Sequence, residues 1–65
     1  MRYVEIVLYI NQNQETKVVI AENIEWYTDA YMEGTTEYCD VRIGGEVFKA
    51  IGATAALLDD YFGRE

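Results

Sequence analysis

The sequence predicts an α+β fold, a small antiparallel β-meander of four to five strands followed by one C-terminal helix. Three observations support this class. Apolar residues alternate at period two through most of the chain up to Ile51. Short segments rich in asparagine or glycine separate the alternating runs, as turns do. After Gly52 the apolar residues change to helical spacing.

The first two strands are predicted to form a hairpin. In YVEIVLYI, residues 3–10, every even-numbered residue is aliphatic, and the odd-numbered residues include Glu5 and two tyrosines. This pattern predicts a strand with one buried face and one partly apolar outer face. NQNQE, residues 11–15, is polar and carries asparagines that tolerate left-handed backbone, so we expect a turn. TKVVIA, residues 16–21, would be the second strand.

Residues 22–33 allow two interpretations. Their acids are spaced three or four residues apart, which is helical spacing, but like charges at that spacing destabilise a helix. The neighbouring strands also need a partner, so a strand is favoured and a helix stays open. As a strand, the segment would direct its even-numbered residues inward, with Trp26 and Met32 in the core. The outward residues would then be Glu25, Tyr27, Asp29 and Tyr31.

Two more strands and a helix follow. Glu33-Gly34 and Gly44-Gly45 are typical of hairpin turns, and they flank a predicted strand over residues 36–43. On that strand Cys39, Val41 and Ile43 share one side. EVFKAI, residues 46–51, is predicted as the last strand.

The final segment, near residues 53–62, has a helical pattern. Thr54 is a candidate N-cap, and Gly63 stands where a C-terminal glycine belongs. The predicted apolar stripe of this helix consists of Leu57, Leu58, Tyr61 and Phe62.

The order NIEWY, hairpin, GGEVFKAI and helix, within residues 16–62, resembles the layout of small flagellar FlbD-type proteins. The resemblance is one of layout alone and includes no specific motif, so it implies no function.

Length and composition indicate one small domain spanning residues 1–65. A chain of 65 residues buries only about 60% of the surface that its unfolded form exposes. One cysteine excludes an intrachain disulfide, and one cysteine without any histidine makes no zinc site. Self-association therefore remains an open route to added stability.

The charge balance limits the classes of partner. Twelve acidic residues against five basic ones give a net charge of −7, which argues against direct binding to nucleic acid or to an anionic membrane. The first ten residues are apolar but contain Glu5 and precede no cleavage site, so we expect neither a signal peptide nor a membrane span. A lone free cysteine fits a reducing compartment, and we expect a cytoplasmic protein. The acidic charge could also serve solubility alone.

Catalysis has little support in the sequence. Without histidine the chain lacks the usual acid-base group at neutral pH, and Cys39 is predicted to face inward as a small apolar residue. Asp59 and Asp60 would point about 100° apart on a helix. No calcium-loop spacing is present. We therefore expect a non-enzymatic protein with no metal and no cofactor.

The segment 25–40 is the candidate binding region, because it combines one Trp and three Tyr with five acids and no base. Exposed tyrosines offer large contact area at low entropic cost, and carboxylates among them attract a basic partner. Tyr3 and Tyr9 extend the same pattern on the first strand. The candidate partner-binding residues are Glu25, Tyr27, Asp29, Tyr31, Tyr38 and Asp40.

Three hypotheses for this region stay open. The first is a small acidic inhibitor, similar in composition to those of phages and other mobile elements, that occupies a basic, nucleic-acid-binding surface of a host protein. The second is a homo-oligomeric scaffold or sequestering protein whose tyrosine-rich interfaces frame a pocket for a small ligand. The third is that the rings simply pack beneath the helix.

Overall fold

A computed structural model describes residues 2–63 and confirms the predicted class, an antiparallel sheet with one C-terminal helix. A single 3-10 turn, Ala21–Asn23, follows the first hairpin. The strands are β1 (Tyr3–Ile10), β2 (Asn13–Ile20), β3 (Ile24–Tyr27), β4 (Tyr31–Glu33), β5 (Thr36–Ile43) and β6 (Glu46–Ile51), and the helix is α1 (Ala53–Phe62).

The strands lie in the order β2-β1-β6-β5-β3, and β4 also pairs with β5. β3 and β4 therefore share one edge of the sheet, which is interrupted at residues 28–30. The sheet has six strands because the segment predicted as one strand is divided in two. The strand interpretation of residues 22–33 is thus confirmed, apart from the 3-10 turn at its start and the interruption.

Two tight turns fix the registers of the β1–β2 and β5–β6 hairpins. Asn11 and Gln12 join β1 to β2 with φ values of 52° and 69°, and Gly44 and Gly45 join β5 to β6 with φ values of 57° and 86°. Positive φ at both central residues gives each turn a twist that matches the strands, and Asn11 and the two glycines adopt it more readily than Gln12. The first turn is shorter than predicted, so β2 begins at Asn13 rather than at residue 16.

The core lies between α1 and one face of the sheet. We call this face the helix side and the opposite face the open face. The predicted inward positions of β1 and β5 are confirmed, since Cys39 and most of the inward aliphatic residues are buried on the helix side, and Ile10 and Ile43 pack against them half-buried. The core residues are Val4, Ile6, Leu8, Cys39, Val41, Ala50, Ala55 and Leu58.

The helix has the predicted bounds and ends at Gly63 in left-handed conformation, φ 73°. Its predicted cap is wrong. Gly52 occupies the N-cap position without a side-chain cap, and Thr54 is buried in the first turn because it faces the sheet. The predicted stripe is divided, with Leu58 fully buried and Leu57 42% exposed. Within residues 2–63, no helix has the length and apolar character that crossing a membrane requires.

Candidate functional site

An irregularity in β3 decides which rings face which side. Ile24 lies opposite Ile43, but Trp26 lies opposite Arg42, so Glu25 is an additional residue in the β3 register. Each extra residue in a strand reverses the facing of those that follow it. Trp26 therefore lies on the open face with Arg42, where it is 43% exposed.

Tyr27 lies on the helix side, where it pairs with the buried Val41. Its hydroxyl donates to Asp59 Oδ1 at 2.8 Å, and its ring stacks on Phe62 with 6.3 Å between centroids. The predictions that Tyr27 faces outward and that Trp26 lies in the core are wrong, because the bulge exchanges the two positions. Through these two contacts Tyr27 joins the edge strand β3 to the helix α1.

A second irregularity separates β3 from β4. The Thr28 N–H donates to the Asp40 carbonyl, and the Asp40 N–H donates to Thr28 Oγ1, each at 2.9 Å. Pairing resumes with Tyr31 opposite Tyr38, so two residues, 29 and 30, span the distance that Cys39 alone covers on β5. The facing is reversed again, and Tyr31 lies on the open face as predicted. Met32 lies on the opposite side but is 61% exposed rather than buried.

Three tyrosines from three strands meet on the open face. The rings of Tyr9 and Tyr38 make an edge contact with 5.1 Å between centroids. Tyr31 lies 6.2 Å from Tyr38 in a tilted arrangement. We call Tyr9, Tyr31 and Tyr38 the tyrosine cluster. All three side chains are half-buried, so the cluster presents ring surface while its members support one another.

Hydrogen bonds and one cation hold the cluster in place. The Tyr31 hydroxyl donates to Asp40 Oδ1 at 2.7 Å, and this bond is the main cause that raises the pKa of Tyr31 to about 12. Lys49 Nζ lies 4.7 Å from the Tyr38 ring centroid and 3.1 Å from Glu33 Oε2. The bond to Glu33 raises the pKa of Lys49. At neutral pH the cluster thus holds a neutral phenol and a paired ammonium group.

A groove of about 460 Å³ runs beside the cluster. Tyr9 and Tyr38 form its aromatic wall, and the Lys49–Glu33 ion pair lies at its side. Gln12 from the first turn completes the lining.

Acidic groups dominate the remaining surface. Each basic side chain within residues 2–63 already lies within 3.3 Å of a carboxylate oxygen. No unpaired basic group remains in this part of the chain to bind phosphate. The pairs are Arg2–Glu22, Lys17–Glu15, Arg42–Glu25 and Lys49–Glu33.

The structure brings together half of the predicted binding residues, Tyr31, Tyr38 and Asp40. Glu25 is exposed at the bulge, where it pairs with Arg42 and accepts from the Gly45 N–H. Asp29 is exposed at the interruption. Tyr27 belongs to the other side of the sheet.

Three residues of this face were not predicted from the sequence: Lys49 and Glu33, which neighbour the cluster, and the exposed Trp26. The Gly44-Gly45 turn predicts the position of Lys49, because a two-residue turn there places Lys49 opposite Asp40. The position of Glu33 follows from the register of the β4–β5 hairpin, in which Glu33 lies opposite Thr36. The bulge that exposes Trp26 has no local sequence signal.

No reactive centre stands out among the described residues. Burial is the main cause that raises the pKa of the Cys39 thiol to about 11. The thiol therefore stays protonated and unreactive at neutral pH. Residues 2–63 contain no group of three or more Cys, Asp or Glu side chains placed to hold a metal ion. The sequence matches no family model, and no curated protein or solved structure is significantly similar to the chain.

Proposed function

We propose that this chain is a non-enzymatic binding protein whose open face docks on a basic surface of a partner protein. The observation that carries the proposal is the tyrosine cluster, which shares with the half-exposed Trp26 a sheet face that no described helix covers. Tyrosine and tryptophan are enriched at protein interfaces because they combine large apolar area with a polar group and few rotatable bonds. The face therefore offers the aromatic side chains that are typical of interfaces.

The charge of the chain supports a basic partner. The net charge of −7 produces a field that draws cationic surfaces and raises the rate of encounter. On the open face Asp40 and Glu33 lie among the rings, and each carboxylate can accept further hydrogen bonds beyond the contacts already made. Carboxylates in place of phosphates and rings in place of bases suit a surface that otherwise binds nucleic acid. An inhibitor acting by occupying such a surface is the function these features support best.

Affinity capture from an extract of the native host, with competing duplex DNA, tests the proposal. We expect a captured protein that DNA displaces, and we expect Tyr38→Ala to lose it. Met32→Ala is the control, because Met32 is a large, exposed apolar residue on the other side of the sheet. Thermal melts must show that both variants are folded. Equal capture by both variants, or capture that DNA leaves unchanged, would contradict the proposal.

Binding kinetics with the captured partner separate rings from charges. A buried interface tyrosine contributes about 2 kcal/mol or more, so Tyr31→Ala should raise the dissociation rate about thirtyfold. Asp29→Asn should slow association chiefly at low salt, because an exposed carboxylate at the rim acts through long-range attraction. Binding that is insensitive to salt, with both variants like wild type, would remove this face from the function.

The groove beside the cluster favours a second candidate, a homo-oligomer whose tyrosine faces enclose a small ligand. In that case Tyr38→Ala should dissociate the oligomer. Light scattering on wild type and variant distinguishes the two candidates, because a wild-type monomer excludes the second.

A further inference from the structure

The two edges of the sheet differ in how they are protected. At one edge β3 and β4 carry a bulge and an interruption, two devices that prevent another strand from pairing there. At the other edge β2 pairs with β1 over all eight of its residues without a register shift. No described element pairs with the outer side of β2. An uninterrupted edge without proline is a template for strand addition.

The first turn determines which backbone groups of β2 point outward. A two-residue turn closes with a hydrogen bond between its flanking residues, here Ile10 and Asn13. Hydrogen-bonded and non-bonded pairs alternate along an antiparallel ladder. Asn13, Glu15 and Lys17 therefore direct their backbone groups toward β1. The residues between them, Gln14, Thr16 and Val18, direct theirs to the open edge.

We propose that β2 pairs antiparallel with β2 of a second copy of this chain, in the register centred on Thr16. The two Thr16 residues then face each other as a hydrogen-bonded pair, and Gln14 faces Val18 of the other copy. Each of these three outward-facing pairs exchanges two backbone hydrogen bonds. The pairing extends the sheet across a two-fold axis.

Charge complementarity selects this register. Glu15 and Lys17 lie on one side of β2, 3.3 Å apart within the chain. In the register centred on Thr16, each Glu15 lies opposite Lys17 of the other copy, giving two cross-strand ion pairs. Centring on Gln14 places Lys17 beyond the strand of the other copy, and centring on Val18 places it opposite Val19. Only the Thr16 register satisfies both charges.

A lysine on an edge strand ordinarily opposes strand addition, since pairing would bring it against an uncharged or basic neighbour. Here Glu15, two residues away, supplies the complement when the partner is an identical strand. The charges that oppose pairing with unrelated strands therefore favour pairing with β2 of a second copy. Since opposite residues share a face, the two open faces would adjoin on one side of the extended sheet. The inference does not rest on what the open face binds.

Charge exchange tests the register. We expect wild type to show a weak, concentration-dependent dimer by sedimentation, because a single strand pair is a small interface. Lys17→Glu and Glu15→Lys should each weaken it about tenfold or more, by turning two attractive cross-strand pairs into repulsive ones. A mixture of the two single variants should form a heterodimer, and the double exchange should restore the homodimer. Glu46→Lys, which changes net charge at an exposed position on β6, is the control and should leave it intact.

Cysteine cross-linking tests the geometry independently. Residues facing each other in a hydrogen-bonded pair have Cα atoms about 5.5 Å apart, within the range of a disulfide. Thr16→Cys should therefore form a reducible dimer under mild oxidation. Gln14→Cys should not, because the two Gln14 residues would lie four positions apart along the strands, about 13 Å. The native Cys39 is buried and serves as the internal control.

A wild-type monomer at every concentration, or equal cross-linking at both positions, overturns the inference. So does a dimer that Tyr38→Ala abolishes while Lys17→Glu leaves it unchanged, since that result places the interface on the open face. Partner capture by the Lys17→Glu variant reports separately on the proposed function.

Discussion

The helix is held to the sheet chiefly by Leu58, and Leu58→Ala is the change that best tests this arrangement. Leu58 is fully buried, the largest such side chain of the described residues, and Ala55 is its main companion from the same helix. The adjacent Leu57 is 42% exposed at the rim of the helix. The two leucines thus form a matched pair that differs in environment and not in chemistry.

The expected loss for Leu58→Ala is about 3–5 kcal/mol, the cost of a buried leucine truncation that leaves a cavity. At roughly 0.05–0.15 kcal/mol per residue, a domain of 65 residues has a total stability of about 3–10 kcal/mol. The truncation should therefore remove much of the stability. Leu57→Ala should cost about 1 kcal/mol or less, because nearly half of that side chain already contacts water.

Urea unfolding followed by circular dichroism and by Trp26 fluorescence measures both variants. We expect a much lower midpoint for Leu58→Ala with an unchanged slope, and a midpoint near wild type for Leu57→Ala. Equal losses for the two leucines would show that the helix lies on the sheet with a different face. A Leu58→Ala variant as stable as wild type would mean that the helix contributes nothing to the core.

Three further outcomes are expected. Ile6→Ala should lose about 2–5 kcal/mol in the same urea assay, because its side chain lies in the core from the sheet side. Cys39→Ser should lose about 1–3 kcal/mol while partner binding is retained, since a buried hydroxyl needs a hydrogen bond and the Ile51 carbonyl lies 3.7 Å from the thiol, beyond the normal O–H···O distance; loss of binding in a folded variant would indicate thiol chemistry. Tyr31→Phe should remove a step near pH 12 from the phenolate absorbance titration, because the pKa of Tyr31 is raised to about 12. Because the pKa of Tyr31 is raised from 10 to about 12, its bond to Asp40 stabilises the fold fully below pH 10 and is lost as pH rises through 12; if the step that Tyr31→Phe removes lies near pH 10 instead, that bond is refuted.

The regular elements could be predicted from local pattern. The even-numbered aliphatic residues of β1 determine its buried face, since side chains alternate strictly along a strand. The paired glycines at 44 and 45 specify a turn that few other residues allow, and that turn determines the register between β5 and β6. The change of period after Gly52 marks the helix.

The site could be predicted only in part, because it depends on two irregularities. A bulge at Glu25 and the interruption after Thr28 each reverse the facing of the residues that follow. Both irregularities are set by tertiary contacts, such as the bonds between Thr28 and Asp40. A prediction from strict alternation is therefore right for the facing of Tyr31, which follows two reversals, and wrong for that of Tyr27, which follows only one.

The same two irregularities decide which aromatic residues stabilise the fold and which lie on the face proposed for recognition. Without the bulge Tyr27 would join the open face and Trp26 would lie beneath the helix, and the bond from Tyr27 to Asp59 could not form. With it, Tyr27 of the edge strand contacts the helix, Tyr31 joins Tyr9 and Tyr38, and Trp26 lies on the same open face. A bulge also prevents strand addition at its own edge. The edge formed by β3 and β4, whose irregularities orient the rings, thus cannot accept another strand. Pairing between chains is directed to β2, at the opposite edge of the sheet.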